Sequence, residues 1–96
     1  MSRYVFPAVF TKESVGGYSI NFPDVECCFT QGENLIDGMY MASDVLALML
    51  HELESDNKPI PRPSALEDIA TDENSFVTYV SCDTEVYADE DQRTAI

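Results

Sequence analysis

Few residues in this sequence have both the type and the spacing that catalysis requires. His51 is the only histidine among the 96 residues, and no serine or cysteine stands with it in a recognisable nucleophile motif. A catalytic histidine also needs a partner that orients it. We therefore interpret His51 as a surface residue of a helix and predict that the chain has no catalytic residue.

The three cysteines, Cys27, Cys28 and Cys82, are poorly spaced for a metal site. Neighbouring residues of a strand point to opposite faces, so Cys27 and Cys28 cannot easily bind one ion, and there is no Cys-x-x-Cys motif. An odd number of cysteines with an adjacent pair is also a poor disulfide framework and fits a reducing compartment. We expect no metal and no cofactor, and we expect Cys27, and with it Cys82, to pack in the core.

Carboxylates are numerous enough to raise the question of a metal-dependent nuclease. Asp24 and Glu26 flank the end of a predicted strand, and two-metal nucleases use such clusters. These residues also fall in a loop, where acidic residues are ordinary, and no glycine-rich phosphate-binding loop accompanies them. Two functions therefore stay open: a protein that acts by binding another protein, and, as the alternative, a metal-dependent ribonuclease or an RNA-binding regulator.

The charge balance narrows the choice of partner. The chain has 18 acidic and 5 basic residues, a net charge of −13. Phosphate backbones repel such a surface, so we expect no DNA binding by this 96-residue chain alone. A strongly acidic domain suits a basic protein partner, although charge of this size also serves solubility alone.

Nothing in the sequence predicts a membrane segment. No apolar run approaches the ~20 residues needed to cross a bilayer. The start of the chain lacks the charged-then-apolar layout of a signal peptide. The expected location is therefore cytoplasmic.

Three short strands are predicted in the first third of the chain. Residues 3–10 alternate β-forming side chains, and Pro7 predicts that this strand is an edge strand or a bulged one. The polar stretch 11–17 ends in Gly-Gly and predicts a hairpin loop. A half-buried strand at 18–22 and a third strand at 27–31, with Cys27 facing the same way as Phe29, complete an antiparallel meander.

A long helix follows, from Leu35 to about Ser55. Asn34 is a favourable N-cap, and Asp37 lies in the first turn, where its charge favours the helix dipole. One apolar stripe is expected to face the sheet: Leu35, Met39, Ala42, Leu46, Met49 and Leu53.

A second apolar set on this helix, Met41, Val45 and Leu48, lies beside its polar side. It either packs under a curled sheet or under the segment that follows the helix, or it contacts a second copy or another partner. Both interpretations are open from the sequence.

The remainder of the chain predicts one more strand. Residues 57–63 are proline-rich and extended, and Ser64–Glu67 has the capping-box pattern of a short helical turn. A turn at 72–74 leads to a strand at 75–82. The predicted fold is α+β, with a three-stranded antiparallel meander, one long helix and a further strand (β-β-β-α-β). Residues 86–96 are expected to form an acidic tail or linker.

The stretch from Phe22 to Asn34 resembles the signature of HicB-like antitoxins. In that family a Phe-Pro-Asp-like triplet ends one strand and Cys-Phe-Thr-Gln-Gly forms the next, and residues 22–24 and 28–32 match these. The segments 4–10, 42–44 and 60–64 also resemble the family. Glu26-Cys27 departs from it, since the family commonly has Pro-Gly there.

The resemblance implies a toxin-binding domain over residues 1–85 with a partial ribonuclease-H-like fold. Family members bind a HicA-type toxin, a small basic ribonuclease that cleaves mRNA, and block its active histidine. Many also have a C-terminal DNA-binding module that represses their own operon, and we expect that module to be absent from this chain. We expect Asp24, Glu26 and Glu33 to contact the toxin, and we expect the chain to form a homodimer or a higher oligomer, through Met41, Val45 and Leu48 and the last strand.

Overall fold

The computed structural model describes residues 2–86, which form four strands, one long helix and one 3-10 turn. In chain order these are β1 (Arg3–Lys12), β2 (Tyr18–Asn21), β3 (Phe29–Gly32), α1 (Leu35–Ser55), the 3-10 turn (Leu66–Asp68) and β4 (Ser75–Asp83). The predicted β-β-β-α-β order and the α+β class are confirmed. In these residues no helix combines the length and the hydropathy needed to cross a membrane.

The strands form one antiparallel sheet in the order β3-β2-β1-β4. The predicted meander of the first three strands is confirmed, but the expectation that β1 is an edge or bulged strand is wrong, because β1 lies between β2 and β4. Pro7 is tolerated there because β2 pairs only with Val9–Lys12. Pro7 thus lies in the half of β1 that pairs with β4 alone, and its missing N–H breaks no bond to β2.

The core lies between one face of this sheet and α1. Every second residue of β1 points into it, and its fully buried members include Phe6, Phe10, Ile20, Leu46 and Leu50. Burying each such side chain stabilises the fold by about 1.5–3 kcal/mol relative to leaving it exposed. The opposite face of the sheet also has apolar side chains, because Val5, Phe29 and Tyr79 lie on it and are 48%, 66% and 46% exposed.

The apolar stripe predicted for α1 is partly wrong at its start. Leu35 and Met39 are exposed at 48% and 37%, whereas Gly38 is buried. A Cβ at Gly38 would lie 3.2 Å from Ile20 Cδ1 and 3.3 Å from Phe10 Cε2, so the helix approaches the sheet through this glycine. Hydropathy does not reveal such a contact, because glycine has no side chain.

Helix α1 begins as the sequence predicts. Asn34 Oδ1 accepts a hydrogen bond from the Asp37 N–H at 2.8 Å, and the Asp37 carboxylate accepts one from the Glu33 N–H at 2.9 Å. This reciprocal pair satisfies two N–H groups that a helix start would otherwise leave unpaired.

The third strand begins later than predicted, at Phe29. Residues 22–28 form a tight loop closed by the Phe22 N–H, which donates to the Cys28 carbonyl at 3.0 Å. Cys27 has a φ of 60° and is exposed, so the prediction that it packs in the core is wrong; Cys28 takes that place. This left-handed conformation is the one that glycine adopts most readily.

The prediction that Cys82 packs in the core is confirmed. Cys28 and Cys82 are both buried, and burial makes each thiol a weaker acid. Burial raises the pKa of Cys28 to about 12 and that of Cys82 to about 11. Neither thiol is a good nucleophile at neutral pH, since the thiolate is the reactive form.

The segment between α1 and β4 is held by a carboxylate. The backbone N–H and the hydroxyl of Ser64 donate to Asp24 at 2.8 Å and 2.6 Å. The predicted short helical turn is present, but Ser64 does not cap it, because Ala65 is the N-cap residue and makes no side-chain hydrogen bond. The predicted turn before β4 is confirmed, and Asp72 Oδ1 accepts from the Asn74 N–H at 2.8 Å.

Candidate functional site

The three acidic residues predicted to contact a partner do not form one cluster. Asp24 is half-buried, and both of its carboxylate oxygens accept hydrogen bonds from Ser64. Glu26 is exposed in the same loop. Glu33 lies beyond the other end of β3, a strand of four residues that spans about 13 Å.

Glu33 instead borders a groove at the end of the sheet where the β1–β2 hairpin meets the start of α1. The charged residues of this groove are Glu13, Glu33 and Asp37, and Val15, Tyr18 and Met41 are its apolar residues. We call it the acidic groove. Among residues 2–86, no basic residue lines it.

The hairpin is shaped by two glycines. Gly16 and Gly17 have φ values of 100° and 81°, a conformation that side chains other than glycine rarely adopt. Glu13 accepts a hydrogen bond from the Ser19 hydroxyl at 2.5 Å, which orients its carboxylate. The turn leaves the Val15 side chain 95% exposed at its tip.

The floor of the groove is set by a close approach between β3 and α1. A Cβ at Gly32 would lie only 2.4 Å from Gly38 Cα and 2.5 Å from Gly38 N. Gly32, the final glycine of the Cys-Phe-Thr-Gln-Gly stretch, is therefore the only residue type that fits here without a steric clash. This contact places Glu33 and the first turn of α1, with Asp37, at the groove.

The second apolar set predicted on the helix, Met41, Val45 and Leu48, lies partly in the core and partly on the surface. Val45 packs against the core, which supports the interpretation that the helix side is covered there. Met41 and Leu48 are exposed at 40% and 38%. Met41 lines the acidic groove, so the structure brings together one residue from each predicted set, Glu33 and Met41.

Sequence reasoning missed the contribution of the hairpin, namely Glu13, Val15 and Tyr18. A usable signal was present, since Val15 is a large apolar residue in a polar loop directly before Gly-Gly. An apolar side chain at a turn tip has no core to enter and is available to a partner.

The groove suits binding of basic groups rather than metal chemistry. Three carboxylates around exposed apolar side chains attract a cationic surface and provide apolar contact area once it arrives. Across residues 2–86, no three histidine, cysteine or acidic residues are grouped closely enough to hold a metal ion. His51, considered above as a surface residue, is half-buried on α1.

The acidic tail expected at the end of the chain lies almost wholly outside the described residues. Only Val86 of the 86–96 stretch is described, and it is exposed. The run Asp89–Asp91 belongs to the part that is not described.

Known proteins similar to this chain include antitoxins. Antitoxin HicB of Escherichia coli strain K12 is 36% identical over 61 residues, which cover 64% of this chain and 44% of that protein. The chain thus spans less than half of the length of that relative.

Two solved structures share the fold. One chain of a toxin–antitoxin complex from Streptococcus pneumoniae matches with a TM-score of 0.82 and 24% identity, over 90% of this chain and 73% of that one. The N-terminal domain of the Burkholderia pseudomallei antitoxin HicB matches with a TM-score of 0.66 and 20% identity, over 83% of this chain and 99% of that one.

The family follows from a match over most of the sequence. A model of the HicB-like antitoxins of bacterial toxin–antitoxin systems matches residues 6–96. This chain therefore belongs to the HicB-like antitoxin family.

Proposed function

We propose that this chain is the toxin-binding part of an antitoxin and neutralises a small, basic, mRNA-cleaving toxin of the HicA type by binding it. The acidic groove is the observation that carries the proposal, together with membership of the antitoxin family. The Streptococcus pneumoniae structure with the same fold is a toxin–antitoxin complex.

Charge brings the two proteins together. The net charge of −13 accelerates encounter with a basic toxin, and the three carboxylates of the groove direct it to this end of the sheet. Val15, Tyr18 and Met41 then provide the apolar contacts that carry most of the affinity. A toxin whose basic RNA-binding surface is held in this groove has no surface left for RNA.

The acidic residues predicted from the sequence take different parts in this mechanism. Glu33 lies at the groove, and Glu26 is an outer rim charge that affects the association rate. Asp24 acts indirectly, because its carboxylate holds Ser64 and with it the segment that follows α1.

On this proposal the chain is a regulator without enzymatic activity, and it acts in the cytoplasm, where its target cleaves mRNA. The alternative, a nuclease with metal ions at Asp24 and Glu26, finds no support, because these two residues belong to no metal-binding cluster of residues 2–86. With 5 basic residues against 18 acidic ones, this chain alone is not expected to bind operator DNA.

Two matched double variants test the role of the groove. Glu33→Gln with Met41→Ala removes one charge and one apolar side chain from the groove. Glu67→Gln with Leu48→Ala removes the same kinds of group outside it, at an exposed carboxylate and at a helix residue of nearly equal exposure to Met41. The toxin to use is a purified toxin of the HicA type.

The binding kinetics distinguish the two variants. At low salt we expect the groove variant to associate more slowly and dissociate faster, with a loss in affinity of about tenfold or more, while the control stays near the parent. High salt should reduce the difference in association rate. If the parent and the groove variant bind the toxin with equal affinity, or if the control variant loses more affinity than the groove variant, the toxin binds outside the acidic groove.

A further inference from the structure

Strand β3 has one edge without a partner strand. It is the last strand in the sheet order, and among residues 2–86 only β2 pairs with it. All four of its residues are uncharged, and the Phe29 side chain is 66% exposed. Natural sheets usually protect an edge with lysine, proline, a bulge or a covering segment. β3 contains neither lysine nor proline, so its outer edge can accept another strand.

The register of β2 and β3 identifies the backbone groups at this edge. The Phe22 N–H donates to the Cys28 carbonyl directly before β3 begins. Hydrogen bonds in an antiparallel pair recur at every second residue, so Thr30 bonds to β2. The N–H and C=O groups of Phe29 and Gln31 therefore point away from β2. Within residues 2–86, these four groups have no hydrogen-bond partner.

Exposed carboxylates lie beyond both ends of this strand. Glu26 is in the loop before β3, Glu33 follows it directly, and the four residues of the strand span about 13 Å. A partner strand with a basic side chain toward each end matches these charges while it pairs along the uncharged edge. A second copy of β3 does not match them, because the carboxylates of the two copies would repel each other.

We propose that the edge of β3 accepts an extended strand of the basic partner, which then continues the sheet. The backbone of that strand bonds to Phe29 and Gln31, and its basic side chains approach Glu26 and Glu33. The exposed Phe29 ring contacts side chains on the same face of the added strand. This inference rests on the proposed function, because it concerns the same partner that the acidic groove attracts.

The other edge of the sheet is less suited to this partner. β4 lies at the opposite end of the sheet order, and its Ser81 carbonyl already accepts a hydrogen bond from the Ser43 hydroxyl at 2.7 Å. Of the described residues, Gln31 and Gly32 of β3 line the acidic groove, and none from β4 does. A partner that enters the acidic groove is thus already beside β3.

Amide hydrogen exchange of the 96-residue chain, measured residue by residue by NMR, tests the proposal with a purified toxin of the HicA type. In the free chain the amides of Phe29 and Gln31 should exchange fast and that of Thr30 slowly. Saturating toxin should slow exchange at Phe29 and Gln31 by about a hundredfold or more. A toxin that binds without slowing either amide overturns this inference and leaves the proposed function intact. A toxin that does not bind overturns both.

A proline at Gln31 separates backbone pairing from side-chain contact. Gln31→Pro removes an N–H that makes no bond to β2, and Gln31 is exposed, so the proline ring has room. Pro7 is tolerated in β1 for the same reason, because its missing N–H breaks no bond to β2. Gln31→Ala is the matched control, since it removes the side chain and keeps the N–H.

Toxin affinity should distinguish these two variants. We expect Gln31→Pro to bind about tenfold or more weakly than Gln31→Ala, because it lacks one hydrogen bond and its ring obstructs the added strand. Circular dichroism and the unfolding midpoint show whether each variant is folded. Equal affinities of the two folded variants overturn the proposal. If Gln31→Pro does not fold, the exchange rates of Phe29 and Gln31 in the parent chain decide alone.

Discussion

The close approach of β3 to α1 makes Gly32 the most sensitive backbone position of the acidic groove. In Gly32→Ala the new Cβ would lie 2.4 Å from Gly38 Cα and 2.5 Å from Gly38 N. Both neighbours are backbone atoms, so no side chain can rotate away. Either β3 or the first turn of α1 has to move, and the paired N-cap at Asn34 moves with it.

The expected cost follows from comparison with a second glycine. Overpacking typically costs 1–3 kcal/mol, and a clash with backbone belongs at the upper end, so we expect Gly32→Ala to lower the free energy of unfolding by about 3 kcal/mol. In Gly38→Ala the Cβ would meet side-chain tips at 3.2–3.3 Å. There the gain of about 1 kcal/mol in helix propensity offsets much of the crowding, and we expect a net loss of about 1 kcal/mol.

Urea unfolding followed by circular dichroism at 222 nm, the usual signal of helix, measures both costs. A shift of the midpoint at unchanged slope reports the loss in stability. Gly32→Ala should also weaken toxin binding more than Gly38→Ala, because Gly32 positions Glu33. The reasoning is refuted if Gly32→Ala unfolds within about 1 kcal/mol of the parent, or if Gly38→Ala is the more damaging change.

Three further predictions concern single side chains. Cys27 should react with a thiol reagent in the folded protein at neutral pH, and the two buried thiols only after unfolding; three thiols reacting at one rate would contradict this. Burial opposes ionisation of Glu54, but hydrogen bonds from Tyr4 and neighbouring hydroxyls outweigh it and lower its pKa. The ionised Glu54 therefore stabilises the folded state above its ordinary pKa of 4.5, and this stabilisation is lost as the pH falls through the lower pKa of the folded state. In acid unfolding curves, Tyr4→Phe should make the loss of stability with falling pH smaller. Asp24→Asn should cost about 1–3 kcal/mol in thermal unfolding, because it weakens the charge-assisted bonds to Ser64; an unchanged midpoint would show that this link contributes nothing.

Local signals in the sequence predicted the elements of the fold well. The N-cap at Asn34 and the two glycines before β2 act on the residues next to them in the chain, so their effect is visible in a few consecutive residues. The position of β1 in the sheet depends on where β2 ends, and Pro7 alone cannot reveal that. Cys27 was misplaced because a left-handed turn interrupts the alternation on which the strand prediction relied.

The candidate site was harder to predict, because it is assembled from distant segments. Glu33 and Met41 were identified separately from the helix and its preceding motif. Their connection to Glu13 and Val15 requires the hairpin to fold back beside the start of α1, which no periodicity encodes. Asp24 is an acidic residue like those that contact a basic partner, but its carboxylate accepts hydrogen bonds from Ser64. Only the path of the chain after α1 reveals that Ser64 lies beside it.

The central claim, that this chain neutralises a basic toxin by binding it, is tested most directly by the toxin's own activity. A purified toxin of the HicA type is incubated with mRNA at low salt, and increasing amounts of this 96-residue chain are added. We predict that cleavage falls to background near one chain per toxin, and that high salt restores part of it because screening weakens the attraction. Cleavage that continues unchanged at a large excess of the folded chain would contradict the claim.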